Sequence, residues 1–237
     1  MLLITQFGAT NLVPGSNNTY RVILEGGASI LEGTYHLHQA YIPLSLYNVN
    51  SYNNTVSISI AGTTYTGNIT PGAYNVSTLL PALKSCLDTI ATPAGVTFTV
   101  TYDSATMKIT ITANAGASFA LLNSSALKVL GFSAADTGDA GSHTSDKTVD
   151  LMYTNTIRLT IGESERGNLR DNKGHSFTFN IPITANLGGV VVLDPNFTDD
   201  FKVKLPRTNI LTVSVSDDMG RPLALYSDWY LILRQVS

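Results

Sequence analysis

His36 and His38 stand two apart in TYHLHQAYIPL, so on a strand both imidazoles share one face and could ligate zinc. Zinc needs three or four ligands. Asp and Glu are missing from 33–87, and no further His or Cys lies nearby, so a polar sheet face is the expected role. Asp199-Asp200 and Asp217-Asp218 are adjacent acids, whereas general acid and base pairs converge from separate elements. Asp217-Asp218 precedes Met219-Gly220 and reads as a hairpin turn. Ser142-His143 sits in a polar, Gly-rich stretch with no ordered acid to complete a triad. Cys86 is the single cysteine, so a disulfide within the chain is excluded and a small buried thiol is expected. GESERGNLRDNKGHS mixes Arg166, Arg170 and Lys173 with Glu163, Glu165 and Asp171. No helix follows to make a phosphate cradle, so it reads as a solvated or salt-bridged loop. No G-x-S-x-G, H-E-x-x-H or Walker pattern occurs. The expectation is a protein that is not an enzyme, with no catalytic, cofactor-binding or metal-binding residues.

Composition points the same way. Charged residues make up 13% of the 237, with Thr, Ser, Asn and Gly filling the gap, and the net charge is −3. A surface with so little charge resists association poorly, which favours outer faces covered by partners. Without a Lys/Arg cluster, direct nucleic-acid binding is not expected. No apolar stretch reaches the length of a membrane span, and MLLITQFGATNLVPG lacks the basic and apolar regions of a signal peptide. N-x-[ST] sequons stand at Asn17, Asn53, Asn68, Asn75, Asn123 and Asn196. In a chain this rich in Asn, Ser and Thr, chance accounts for them.

The elements that would position these residues are mostly strands. YRVIL (Tyr20 to Leu24) is followed by Thr34 to Leu44. Alternation there puts Tyr35, Leu37, Gln39 and Tyr41 on one side, with His36, His38 and Ala40 on the other. VSISIAG is half-buried. A Gly, Pro and Asn-rich turn then leads to the one clear amphipathic helix, with Leu79, Leu83, Leu87 and Ile90 on one face. Asn75, Ser77 or Thr78 could cap it. Pro81 favours Thr78, which keeps the proline in the first turn. VTFTVTY and MKITITA form a hairpin around Asp103–Thr106, and SFALLNSSALKVLGF reads as a short strand and a short helix ending near Gly131. Residues 133–148 read as a linker or exposed loop. Six more strand-like runs follow: TNTIRLTIGE, HSFTFNIPI, GGVVVLD, FKVKLP, NILTVSVSDD and PLALYSDWYLILRQV. The fold expected is mainly β: an antiparallel sandwich of the jelly-roll type from 1–61 plus 149–237, with 62–148 inserted as an α+β module. Trp229 is expected as a core anchor on a last strand that is central or covered by a partner.

Three stretches together resemble the penton, or minor capsid, proteins of virophages, polintons and related large eukaryotic DNA viruses. They are QAYIPLSLYNVN; the G-x-x-x-P-G-x-Y run with its leucine helix, FTVTYDSATMKITIT and LKVLGF; and LTVSVSDDMGRPLALYSDWYLILRQ. The resemblance implies a single jelly roll with an inserted domain. It also implies a homopentamer at the five-fold vertex of an icosahedral virion, beside the major capsid protein and assembled inside the host cell, with no catalytic residues. Contacts between copies are expected at the Glu163 to Lys173 loop and the Asp199-Asp200 to Lys204 strand, which carry both signs of charge. The alternative is a fibre or spike head binding a receptor or glycan. An exposed cluster of Tyr65, Tyr74 and Tyr102 would favour it.

Overall fold

A computed structural model describes residues 2–5, 9–11, 19–23, 33–133, 136–162, 176–193, 202–205 and 210–235. In chain order the elements are β1 (Leu2–Thr5), β2 (Ala9–Asn11), β3 (Thr19–Ile23), β4 (Gly33–Pro43), β5 (Thr55–Ile60), β6 (Thr63–Asn68), α1 (Val76–Ala91), β7 (Phe98–Asp103), β8 (Lys108–Ala113), β9 (Ala120–Leu122), β10 (Ser142–Thr144), β11 (Thr156–Gly162), β12 (Ser176–Pro182), β13 (Val190–Leu193), β14 (Lys202–Leu205), β15 (Ile210–Ser216) and β16 (Tyr230–Gln235). The chain forms two compact units, one of 1–46 and 154–237 and one of 47–153.

The first unit is a β-sandwich of two antiparallel sheets. One has the order β1-β16-β4-β13, with β14 also on β4; the other runs β12-β11-β15-β3-β2. Period-two alternation sends Ile157, Leu159 and Ile161 of β11 and Leu211, Val213 and Val215 of β15 into the core. Tyr20 of β3 meets the Trp229 ring edge to face at 5.2 Å between centroids, joining the inward sides of the two sheets. Trp229 is 2% exposed and stands just before β16, which is an interior strand of its sheet, as the apolar run on both sides of it predicts.

The alternation expected along β4 fails in its middle. Tyr35 and Leu37 are buried on one side, but Ala40 and Ile42 then take the buried positions, and Gln39 and Tyr41 turn outward. The cause is a bulge: Leu233 of β16 stands opposite Leu37 while Ile232 stands opposite Gln39, so β4 carries one extra residue there. An inserted residue swaps the faces of everything beyond it.

The second unit wraps strands around α1. Sheet β6-β5-β9 is joined to sheet β10-β8-β7 where Phe119 and Ala140 exchange backbone hydrogen bonds of 2.9 and 3.0 Å. Leu79, Leu83, Leu87 and Ala91 of α1 bury among Val56, Ile58, Phe98, Ile109 and Ile111 of the strands. This is why a mainly β chain holds one amphipathic helix: its apolar stripe covers the inner faces of two three-stranded sheets, which cannot bury those faces alone. Gly67 of β6 lets the helix approach, since a Cβ there would lie 2.4 Å from Ile90 Cγ2.

Four further expectations need correction. The unit expected at 62–148 spans 47–153, because β5 pairs with β6 and β9 and buries Val56, Ile58 and Ile60 in the core around α1. The helix starts at Val76, not after Thr78. Asn75 Oδ1 accepts from the Thr78 N–H at 3.0 Å, and Thr78 Oγ1 accepts from the Asn75 N–H at 3.1 Å, a reciprocal cap. Pro81 therefore lies inside the helix, at a cost of about 3 kcal/mol that the buried leucine face offsets. Residues 124–131 form overlapping turns rather than a helix. Gly131 closes them at φ +82, where a Cβ would also meet Lys147 O at 2.4 Å. The supposed linker contains β10, which pairs with β8, and Thr137 to Ala140 bond back to 119–121.

Candidate functional site

Ser142, His143, Asp217 and Asp103 are engaged by their own surroundings. The His36 and His38 rings lie 6.0 Å apart at 75°. Among the described residues, no group of three or more His, Cys, Asp or Glu is placed to hold a metal ion. Ser142 and His143 are neighbours on β10, so their side chains diverge. Ser142 Oγ lies 2.9 Å from Thr112 Oγ1. The His143 ring bonds the Phe119 carbonyl through Nε2 at 2.7 Å and stands edge-on to the Phe119 ring at 4.7 Å. Neither is free to act on the other.

Asp217 is fully buried and its carboxylate closes the turn into Gly220. It accepts from the N–H groups of Met219 (3.0 Å) and Arg221 (2.8 Å) and from Arg221 Nε at 2.6 Å. Asp218 is exposed, and its N–H donates to Thr154 Oγ1 at 3.2 Å. The pair thus divides into one structural carboxylate and one solvated one. Asp103 organises the hairpin turn: the Thr106 hydroxyl, then the Ala105 N–H, hold its carboxyl below the usual range. Asp199, Asp200 and the stretch Glu163 to Lys173 lie outside the described residues, as do Asn17 and Asn196; Lys204 is described only as part of β14. Of the remaining sequons, Asn53 is buried with Nδ2 donated to the Asn48 carbonyl at 2.8 Å, and Asn75 is the helix cap. Asn68 and Asn123 are exposed.

Tyr65, Tyr74 and Tyr102 do not form an exposed cluster. Each is half-buried against the core around α1, and the Tyr74 hydroxyl donates to the Thr70 carbonyl at 2.7 Å. Tyr47 and Tyr52 are the exposed tyrosines of this unit among the described residues. An open groove of about 290 Å³ runs between α1 and β6, lined by Asn68, Thr70, Ser85, Cys86, Thr89 and Ile90 among others. Its lining is neutral, and burial pushes the Cys86 thiol up, away from the reactive thiolate. The groove offers hydrogen bonds but no group poised to move a proton or attack a substrate.

What the sequence did not reveal is the part played by asparagines. Asn48 is 1% exposed and ties together three loop segments, its own and those of Tyr74 and Leu151. Its Nδ2 donates to Tyr74 O at 2.8 Å and Leu151 O at 3.3 Å, and its Oδ1 accepts from the Tyr74 N–H at 2.8 Å. It closes the base of the second unit, where the chain leads in and out. Asn54 bonds the Ile69 carbonyl in a similar way. Nothing in the spacing of these residues separates them from the many other asparagines of the chain.

With strand order and inserted unit in view, known structures can be compared. The chain has the fold of a viral penton protein. One similar structure is a crystal structure of the mavirus penton protein, with a TM-score of 0.53 and 12% identity; the match covers 98% of this chain and 97% of that one. No family model matches the chain, and no curated protein matches it. No helix among the described residues is long and apolar enough to cross a membrane.

Proposed function

We propose that this chain is a structural capsid protein, the penton that closes the five-fold vertices of an icosahedral virion as a homopentamer held by a neighbouring major capsid protein. The sandwich is read as a single jelly roll. Its chain passes from one sheet to the other at every step from β3 onward except the β11–β12 hairpin and the β13–β14 step along β4. The resulting orders, β1-β16-β4-β13 and β3-β15-β11-β12, are those of eight strands wound as two Greek keys. The unit of 47–153 is an inserted domain between β4 and β11. The observation that carries the reading is the likeness to the mavirus penton protein, which spans both the sandwich and the insertion rather than the sandwich alone. The engagement of Asp103, Asp217 and His143 in local structure supports a scaffold over an enzyme. Electron microscopy of the purified protein at high concentration tests the assembly: rings of five agree with it, and discrete trimers overturn it.

A further inference from the structure

The sheet β1-β16-β4-β13 has two edges, and they differ from the rest of the surface. One edge is β1, LLIT. The other is β13, VVVL, continued by β14, KVKL. β14 carries Lys202 and Lys204, the charges by which natural edge strands repel stray pairing. β13 carries none, and no charged residue occurs from Ile183 to Leu193. Among the described residues β1 pairs only with β16 and β13 only with β4.

The backbone of β13 shows which groups stand open. Leu44 N–H donates to the Gly189 carbonyl at 2.9 Å. Val190 stands opposite Pro43, which has no N–H to give. Hydrogen-bonded and non-bonded pairs alternate in an antiparallel ladder. Val191 and Leu193 therefore bond to β4, while Val190 and Val192 direct their N–H and C=O groups away from the sheet. Val192 is 51% exposed. Water satisfies such a row in the single copy, and another extended backbone fits it as a template.

We propose that this strand is a second copy's β1, and that copies join by adding β1 of one beside β13 of the next. The inference rests on the self-assembly proposed above and names the contact. Both strands are four residues long and uncharged. Strand directions alternate across the sheet, so β1 runs opposite to β13. A neighbour displaced sideways along the sheet thus presents β1 antiparallel to β13, and the ladder continues without a reversal. The register row Thr5, Tyr230, Tyr41, Val192 would continue with it, Tyr41 and Tyr230 stacking at 4.9 Å and 4°. The contact joins two different patches, so it is head to tail, and such contacts close into rings when the rotation between copies closes.

Two sets of variants test it in the full chain. Val192→Lys places a charge on the open edge and touches no buried group; it is expected to weaken self-association by about tenfold or more in analytical ultracentrifugation, with thermal stability unchanged. The double variants Thr5→Cys with Val192→Cys, and Leu3→Cys with Val192→Cys, are expected to give disulfides between copies, located by peptide mapping. Within one copy the two positions are three strands apart, roughly 14 Å, too far for a disulfide. Rings that persist in Val192→Lys, or that form without either cross-link, overturn the edge contact and leave the ring intact. A disulfide formed by Val192→Cys alone would mean two-fold pairing of β13 and also overturns it. A chain that neither assembles nor cross-links at high concentration refutes the edge contact, while the vertex reading is judged separately on the particle.

Discussion

Replacing Trp229 by alanine should unfold the sandwich at markedly lower denaturant concentration. The indole is 2% exposed, packs edge to face on Tyr20 at 5.2 Å and precedes a strand paired on both sides. An aromatic ring of this kind removes about 200 Å² from water. At about 25 cal/mol/Å² that is about 5 kcal/mol, of which alanine retains a small part. The edge-to-face contact adds about 1 kcal/mol, and partial collapse of the cavity returns some of it. The net expectation is a loss of about 3–5 kcal/mol. Trp229 is the only tryptophan, so its fluorescence reports the sandwich in the wild type but is lost in the variant. The comparison therefore uses amide hydrogen exchange of β15 and β16 across a urea series, with Trp229→Phe as an intermediate control. A loss under about 1 kcal/mol would refute the claim that this ring anchors the core.

Asn48→Ala should destabilise the unit of 47–153 by about 2–4 kcal/mol, since it strands the Tyr74 N–H and the carbonyls of Tyr74 and Leu151; exchange of the Tyr74 amide measures it. Cys86, with its thiol pushed up by burial, should react with a thiol reagent at pH 8 far more slowly in the folded chain than in denaturant, and equal rates would contradict its placement against the core of that unit. Asp103 is held below the usual carboxylate range by Thr106 and Ala105. Its contribution is fully present above the unfolded-state value and is lost as pH falls through the folded one. Melting of the β7–β8 hairpin should thus be more acid-sensitive in the wild type than in Asp103→Asn, and identical profiles would exclude that role.

Legibility in the sequence followed periodicity. The strands with clean alternation, such as Val56 to Ile60 and Ile109 to Ala113, and the helix with leucines at spacings of four, were readable because burial imposes those periods. The assignment of β5 to the wrong unit arose because alternation says that a strand has a buried face, not which core receives it. β1 and β2 were missed because four and three residues are too few for a period. β6, TTYTGN, and β10, SHT, were missed because they are polar edge strands whose composition matches a loop. The bulge in β4 had no signal: no Gly or Pro marks His38 or Gln39, and the extra residue is visible only from the register with β16. At the sites, the turn role of Asp217-Asp218 was legible from Met219-Gly220 beyond it. The clasp made by Asn48 was not, because its partners lie 26 and 103 residues away.

The central claim is a place on a particle, and a density map of the virion tests it most directly. The account predicts that this chain fits the density at the five-fold vertices, as five copies with sandwiches side by side and β1 of each beside β13 of the next. Density for the chain at the tip of a spike, or on a three-fold face, would contradict it.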